Sequence, residues 1–404
     1  MTDTATLETR ATRDEKARKA FVSTLRRHVL TATAERMRSH YDEVAKPAFE
    51  RANGRSPKDG PEVHKLMKPA RDFRFYSAVR SNAQEMVFGS VIPTVERSLE
   101  ALAQDGRALR ADSSKTAGSL TLNPELSVPR NVTDIEVHRA PGSYHTEYTD
   151  DDVAAGAVYD AAIEVFAFRQ FGDNLDDIGQ TMSNYVRCKY PQLDPKRILD
   201  CGCTIGHNTL PWKQTFPDAE VHAIDVAPGV LRYASARAQK QGEAVHFKQM
   251  NATALDYEDE SFDVVFSSMF LHELSNKDIR GYLAEAFRVL KPGGLLWNME
   301  LPPNSAMQPY ESFYLDWDSY YNSEPFYKGF RDQDYRELIR TAGFADADYI
   351  EATVPRYTFM TEEQFRAAVD GPTQFDGQTG RMDPKGTRWY GFGACKRKAI
   401  EEAS

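Results

Sequence analysis

Two textures of apolar patterning divide the chain. Up to about residue 110, apolar positions recur at the three- and four-residue spacing of a helix face, as in Phe21, Leu25, Val29 and Leu30, and no stretch alternates like a half-buried strand. Asn53-Gly54-Arg55-Ser56-Pro57 and Gly60-Pro61 punctuate this helical region. Residues 111–135, rich in Ser, Thr, Asn and Pro, read as a polar extended linker, 138–152 as a turn leading into a helix start, and 153–190 as helix. From Arg197 short apolar runs take over, at 197–202, 221–225, 245–250, 262–268, 294–300, 346–354 and 388–397. Helical patterns at 228–241, 276–290 and 332–342 lie among them. Strands separated by helices predict βαβ units and a parallel α/β sheet, here of seven strands, the last two joined without an obvious long helix.

Composition narrows the function. A length of 404 residues suits two or three domains. The net charge of -10, from 50 Lys+Arg against 60 Asp+Glu, is the reverse of what a phosphate backbone attracts, so no nucleic-acid partner is expected. No apolar run approaches the ~18–20 residues that span a bilayer. The opening stretch to Phe21 carries acids and no apolar core, and reads as neither a signal nor a transit peptide. The four cysteines, Cys188, Cys201, Cys203 and Cys395, match no disulfide framework or zinc spacing, so a reducing, cytoplasmic setting is expected. Asn131-Val132-Thr133 fits the glycosylation pattern, which without a secretory signal reads as chance.

The candidate chemistry sits at strand ends. Ile198-Leu199-Asp200-Cys201-Gly202-Cys203-Thr204-Ile205-Gly206-His207 closes the first strand of the parallel region, and Gly202 and Gly206 permit close backbone approach to a ligand. The next strand ends in Asp225, placed to accept hydrogen bonds from ribose hydroxyls, with Val226 beside it. Asn251-Ala252 follows the third strand, where an amide faces an adenine edge. Ser267-Ser268 ends the fourth, and Lys291-Pro292-Gly293-Gly294 turns a helix into the fifth.

This set, in this order, resembles the class I S-adenosylmethionine-dependent methyltransferases, strongly over about 160–300 and onward to about 397. The strand-four segment and the Lys-Pro-Gly-Gly turn look similar to the enzymes of quinone, sterol and natural-product pathways. Where the family pattern has three glycines, this chain has Gly202, Thr204 and Gly206. The resemblance implies a seven-stranded, Rossmann-like doubly wound sheet, last strand antiparallel, with S-adenosyl-L-methionine as cofactor. Asp200 and Gly202 would lie near its methionine moiety, with Cys203, Gly206 and His207 as further cofactor neighbours. Asp225 and Val226 would face the ribose, Asn251 and Ala252 the adenine, and Ser267 and Ser268 would line the cleft. A nicotinamide dehydrogenase is disfavoured, since its G-x-G-x-x-G fingerprint lacks an acid two residues before the first glycine.

Methyl transfer is an in-line displacement that depends mainly on positioning, with a general base for a hydroxyl or carbon acid. His272, after strand four, is the candidate base, and Tyr144 and His145, in the turn before the core helices, are further candidate catalytic residues, placed to touch substrate at a lid. Met269, Glu300, Tyr310, Phe313, Tyr314 and Trp317 are candidate substrate contacts, the last four from an aromatic-rich insertion at 301–330. A second insertion spans 355–387 and carries a helix start at Thr361-Glu362-Glu363-Gln364. The loop after strand four offers only His272 and Glu273, so no metal is expected. An Asn/Asp-Pro-Pro-aromatic motif is absent there, where Ser267-Ser268-Met269-Phe270 stands, which again argues against nucleic acid.

The expected organisation is a helical cap or dimerisation region with linker over 1–135 and a methyltransferase domain over 136–404. The expected activity is methylation of a small, apolar or aromatic metabolite, its accepting atom (O, N, S or C) left open. The alternatives are a protein methyltransferase or a non-catalytic cofactor-binding module. Homodimerisation also stays open.

Overall fold

A computed structural model describes residues 7, 9–112, 116–168, 170–371 and 388–397. Its centre is one eight-stranded sheet. The strands are β1 (Ser119–Thr121), β2 (Arg197–Cys201), β3 (Glu220–Asp225), β4 (Val245–Gln249), β5 (Phe262–Ser268), β6 (Leu290–Glu300), β7 (Tyr349–Pro355) and β8 (Arg388–Cys395). Their order is β1-β4-β3-β2-β5-β6-β8-β7. β8 runs antiparallel to both β6 and β7, while all other pairs are parallel.

The central strands read as continuous apolar runs because both faces are covered. Ile198, Val264 and Leu295 face a core with Met182, Tyr185 and Trp212. Their neighbours Leu199, Val265 and Leu296 face the opposite core with Ile279, Leu283 and Leu338. The sheet order reverses between β2 and β5, which opens a crevice at their carboxyl ends.

Two details differ from the expected pattern, and a third bears out the helix start read at Thr361. The eighth strand, β1, lies in the segment read as a linker: Leu120 pairs with Phe247. Its neighbour Gly118 lies so close that a Cβ would come 2.7 Å from the Val245 carbonyl. A three-residue strand with one apolar side chain has no alternation to detect. β6 begins at Leu290, and its Lys-Pro-Gly-Gly turn is absorbed as a register shift against β5. Between β7 and β8 stands a nine-residue helix, Glu362–Asp370, with a capping box from Thr361 and Gln364. The remainder of that insertion, 372–387, with most of its glycine-rich loop, lies outside the described residues.

The helical region packs onto the sheet's crevice end. The 41-residue helix Arg71–Ala111 buries Phe73, Tyr76, Arg80, Ala83, Gln84, Val87, Val91 and Val95, a helix-period stripe. Before it, helix Arg13–His28 continues through π-helical turns at Val29–Thr33 and Tyr41–Ala45. The aromatic insertion forms helix Pro309–Tyr321. Its Tyr310, Phe313 and Tyr314 share one core with Val29, Met37, Val63, Phe73 and Tyr76. No described helix is long and apolar enough to cross a membrane.

Candidate active site

The loop after β2 is bent by left-handed backbone. Gly202 has φ +80°, and a Cβ there would fall 2.3 Å from the Phe270 ring. Thr204 has φ +48°, a strained conformation for a β-branched residue. In that conformation the Thr204 amide donates to Asp225 Oδ2 at 3.0 Å, and the Ala227 amide donates to Oδ1 at 3.0 Å. The Asp225 carboxylate is thus fixed by backbone with lone pairs to spare. Burial raises its pKa, only partly offset by these amides. Asp200 is buried and accepts from Thr209 Oγ1 at 2.5 Å. Burial pushes its carboxyl up to about 7, with the Asp225 charge adding to the rise.

Two recesses flank this loop. The smaller, of about 60 Å³, is lined by Gly202, Asp225, Val226, Asn251, Ala252 and Phe270. The Asn251 carbonyl oxygen is held by the Thr253 amide and hydroxyl, both at 2.9 Å. The larger, of about 470 Å³, runs from Asp200, Gly202, Cys203, Thr204 and His207 past Ser268, Met269 and His272 to the helical cap. Burial drives His207 down to about 3, so its imidazole is neutral, and its Nδ1 has no hydrogen-bond partner among the described residues.

The cap wall of the large cavity holds Arg26, Leu30, Arg38, Gln84, His138, Tyr144, Tyr159, Tyr310, Tyr314, Asp318, Glu324 and Tyr327. Arg80, fully buried, anchors this wall: its Nε donates to Asp318 Oδ1 at 2.6 Å and its Nη2 to Oδ2 at 3.1 Å. Tyr76 Oη adds a 2.7 Å bond to the same carboxylate. Gln84 Oε1 accepts from Arg26 and from Arg80, and Gln84 Nε2 donates to the His138 carbonyl at 2.8 Å.

Several expected contacts stand elsewhere. Gly206 and Ser267 do not line either recess. Gly206 turns the chain at φ +72°, and Ser267 Oγ is buried, donating to Asn298 Oδ1 at 2.8 Å. Phe313 and Trp317 turn from the cavity toward His64, the Trp317 ring 3.8 Å from it between centroids. His145 does not line the cavity, whereas Tyr144 does, its hydroxyl 2.7 Å from His138 Nδ1.

Glu300 also stays out of the cavity and acts behind it. Its Oε1 accepts from the Phe270 and Leu271 amides at 2.7 and 2.6 Å, and its Oε2 lies 2.7 Å from His272 Nδ1. Burial alone would lower the His272 pKa, but Glu300 and Glu273 outweigh it and hold the imidazolium well above the ordinary value.

Other cavity residues escaped the sequence reading. His138 and Tyr159 come from one stretch and Asp318 and Glu324 from another far along the chain, and no local spacing marks them. Backbone strain at His138 (φ +56°) and Arg139 (φ +60°) is likewise invisible to pattern. The supposed linker supplies Pro129, Asn131 and Val132 to the small recess, and Asn131 Nδ2 donates to the Glu273 carbonyl at 3.2 Å.

A family profile described as a methyltransferase domain matches residues 198–294. A demethylmenaquinone methyltransferase of Thermus thermophilus is 38% identical over 109 residues, 27% of this chain and 49% of that protein. A malonyl-[acyl-carrier protein] O-methyltransferase of Hahella chejuensis is 39% identical over 102 residues, 25% of this chain and 35% of that one. An erythromycin 3''-O-methyltransferase of Saccharopolyspora erythraea is 30% identical over 138 residues, 33% and 44% of the two chains. The chain thus spans less than half the length of these relatives. Among solved structures, Haemonchus contortus phosphoethanolamine N-methyltransferase 2 in complex with S-adenosyl-L-methionine aligns at 21% identity and a TM-score of 0.40, over 59% of this chain and 57% of that one.

Proposed function

Starting from the methyltransferase domain of the class I, S-adenosylmethionine-dependent kind that residues 198–294 form, we propose that this chain methylates a small, largely apolar or aromatic metabolite. The observation that carries the reading is one cavity, walled at one end by the loop after β2 and at the other by aromatic side chains of the cap. A small acceptor enclosed there would lie beside the donor and out of water. A protein substrate needs an open groove instead.

The residues fit the cofactor. Gly202 leaves room that a Cβ would fill against Phe270. Asp225 offers lone pairs to the ribose hydroxyls, and Asn251 and Ala252 wall the recess where an adenine ring would sit. Asp200, Cys203 and Thr204 would face the methionine end. When bound, the cofactor supplies a methyl group already activated by the sulfonium charge. What the protein adds is alignment and exclusion of water. His272, charged and braced by Glu300, would donate a hydrogen bond to an acceptor oxygen, and Tyr144 would pack beside it. The region 1–135 would act as the cap and 301–330 as its seam with the sheet.

Calorimetry with S-adenosylmethionine tests the placement. Asp225→Ala removes the carboxylate and frees two loop amides, so affinity should fall on the order of 10–100-fold. Unchanged affinity would contradict the placement of the ribose.

A further inference from the structure

Where the cap wall meets the loop after β5, three potential metal ligands come together from three distant segments. His138, Glu273 and Glu324 each offer one ligand atom, all within 4.8 Å of one another. His138 Nε2 lies 2.7 Å from Glu324 Oε1 and 3.4 Å from Glu273 Oε1. The second spacing is close to the edge of a tetrahedron about a metal with ~2.05 Å bonds, which is about 3.3 Å. Glu273 Oε2 is buried and has no hydrogen-bond partner among the described residues. A buried carboxylate oxygen without a donor is costly unless something positive meets it.

The surroundings are those of a supported ligand. Tyr144 Oη, 2.7 Å from His138 Nδ1, fixes the ring and leaves Nε2 toward the carboxylates. Asn322 Nδ2 donates to Glu324 Oε1 at 2.8 Å. Across Glu273, His272 Nε2 stands 3.5 Å from Oε1. His138 and Glu324 line the large cavity, so a position on an ion held there would face the acceptor.

We propose that His138, Glu273 and Glu324 form a binding site for a first-row divalent cation of mixed nitrogen and oxygen preference, such as Zn2+, in the wall of the cavity. Three protein ligands with one open position is the pattern of a reactive rather than a structural site. That position would take an oxygen or nitrogen of the methyl acceptor and orient its lone pair, a role that rests on the methyl-transfer reading. The expectation of no metal considered the loop after β5 alone. Two of the three ligands come from residues 138 and 324, which no local spacing connects to it.

The test measures the metal alone. Protein stripped with chelator is titrated with Zn2+ by calorimetry, and with Co2+ by visible absorption, in the absence of S-adenosylmethionine. The expected result is one ion per chain, a cobalt spectrum of nitrogen and oxygen ligation, and at least tenfold weaker binding in both His138→Gln and Glu324→Gln. If either variant melts early, Glu273→Gln reads the same site. No stoichiometric binding, or binding that these substitutions leave unchanged, overturns the site and makes the triad an ion-pair network. Cofactor affinity, measured separately, reports on the methyl-transfer reading, so the two failures are distinguishable.

Discussion

The two walls of the large cavity are held by different means. On the sheet side the groups are fixed by backbone. Asp225, in the small recess beside the cavity, is gripped by the Thr204 and Ala227 amides, and Glu300, behind the cavity, by those of Phe270 and Leu271. On the cap side the groups are fixed by side chains reaching across the chain: Arg80 to Asp318, His138 to Glu324, Tyr76 to Asp318. Backbone amides cannot be changed by substitution, so the first wall suits a ligand that never varies. The second wall can be redrawn one side chain at a time, which suits an acceptor that differs between relatives.

The largest expected effect breaks the cap wall. Asp318→Asn strands the buried Arg80 guanidinium without its counter-ion, and should cost about 3–5 kcal/mol. Thermal melting and limited proteolysis should show the helical region loosening first, while the sheet side still binds the cofactor. Simultaneous loss of both would mean that the walls are not independent.

Gly202→Ala attacks the sheet wall. It forces an L-residue into φ +80° with its Cβ 2.3 Å from Phe270, and should cost about 2–4 kcal/mol in stability together with most of the cofactor affinity. A variant with wild-type melting and calorimetry would show that the loop relaxes without penalty.

The pH dependence sharpens the contrast from the cap side. Burial would lower the His138 pKa, but Glu324 and Glu273 outweigh it and raise it above 6.5. Burial would raise Glu324, but His138 outweighs it and lowers it below 4.5. The imidazolium therefore stabilises fully below about 6.5 and is lost as pH rises through the raised value. The carboxylate stabilises above about 4.5 and is lost as pH falls through the lowered one. In chelator, the pair should contribute most between those limits, and His138→Gln should flatten the decline in melting temperature above about 6.5. An unchanged slope would remove His138 from the account.

The smallest effect is a gain. Thr204→Gly relieves the left-handed strain at φ +48° and should raise stability by up to about 1 kcal/mol, read as a higher melting temperature. A loss would show that the threonine side chain makes contacts worth more than its strain.

The contrast also explains what could be read from sequence. Asp200, Gly202, Asp225 and Asn251 could be singled out because each lies at the carboxyl end of β2, β3 or β4 or within two residues of it, and the strand's apolar run announces the position. His138, Asp318 and Glu324 were not, because each acquires its meaning only when three helices and a loop meet. Aromatic density drew attention to 301–330, but density cannot say which face of a helix looks inward. Tyr310 and Tyr314 line the cavity, whereas Phe313 and Trp317 face His64. β1 was missed because parallel pairing to β4 needs only three residues, and Leu120 alone carries no period.

The cavity between these walls supports the proposal of methyl transfer to an enclosed small molecule. The most direct measurement supplies S-adenosylmethionine with a labelled methyl group, purified protein and an extract of the source cells, then separates organic-soluble, water-soluble and acid-precipitable products against Asp225→Ala and no-protein controls. Label is expected in the organic-soluble fraction, absent from both controls. Label confined to acid-precipitable material, or none beyond the controls, would contradict it.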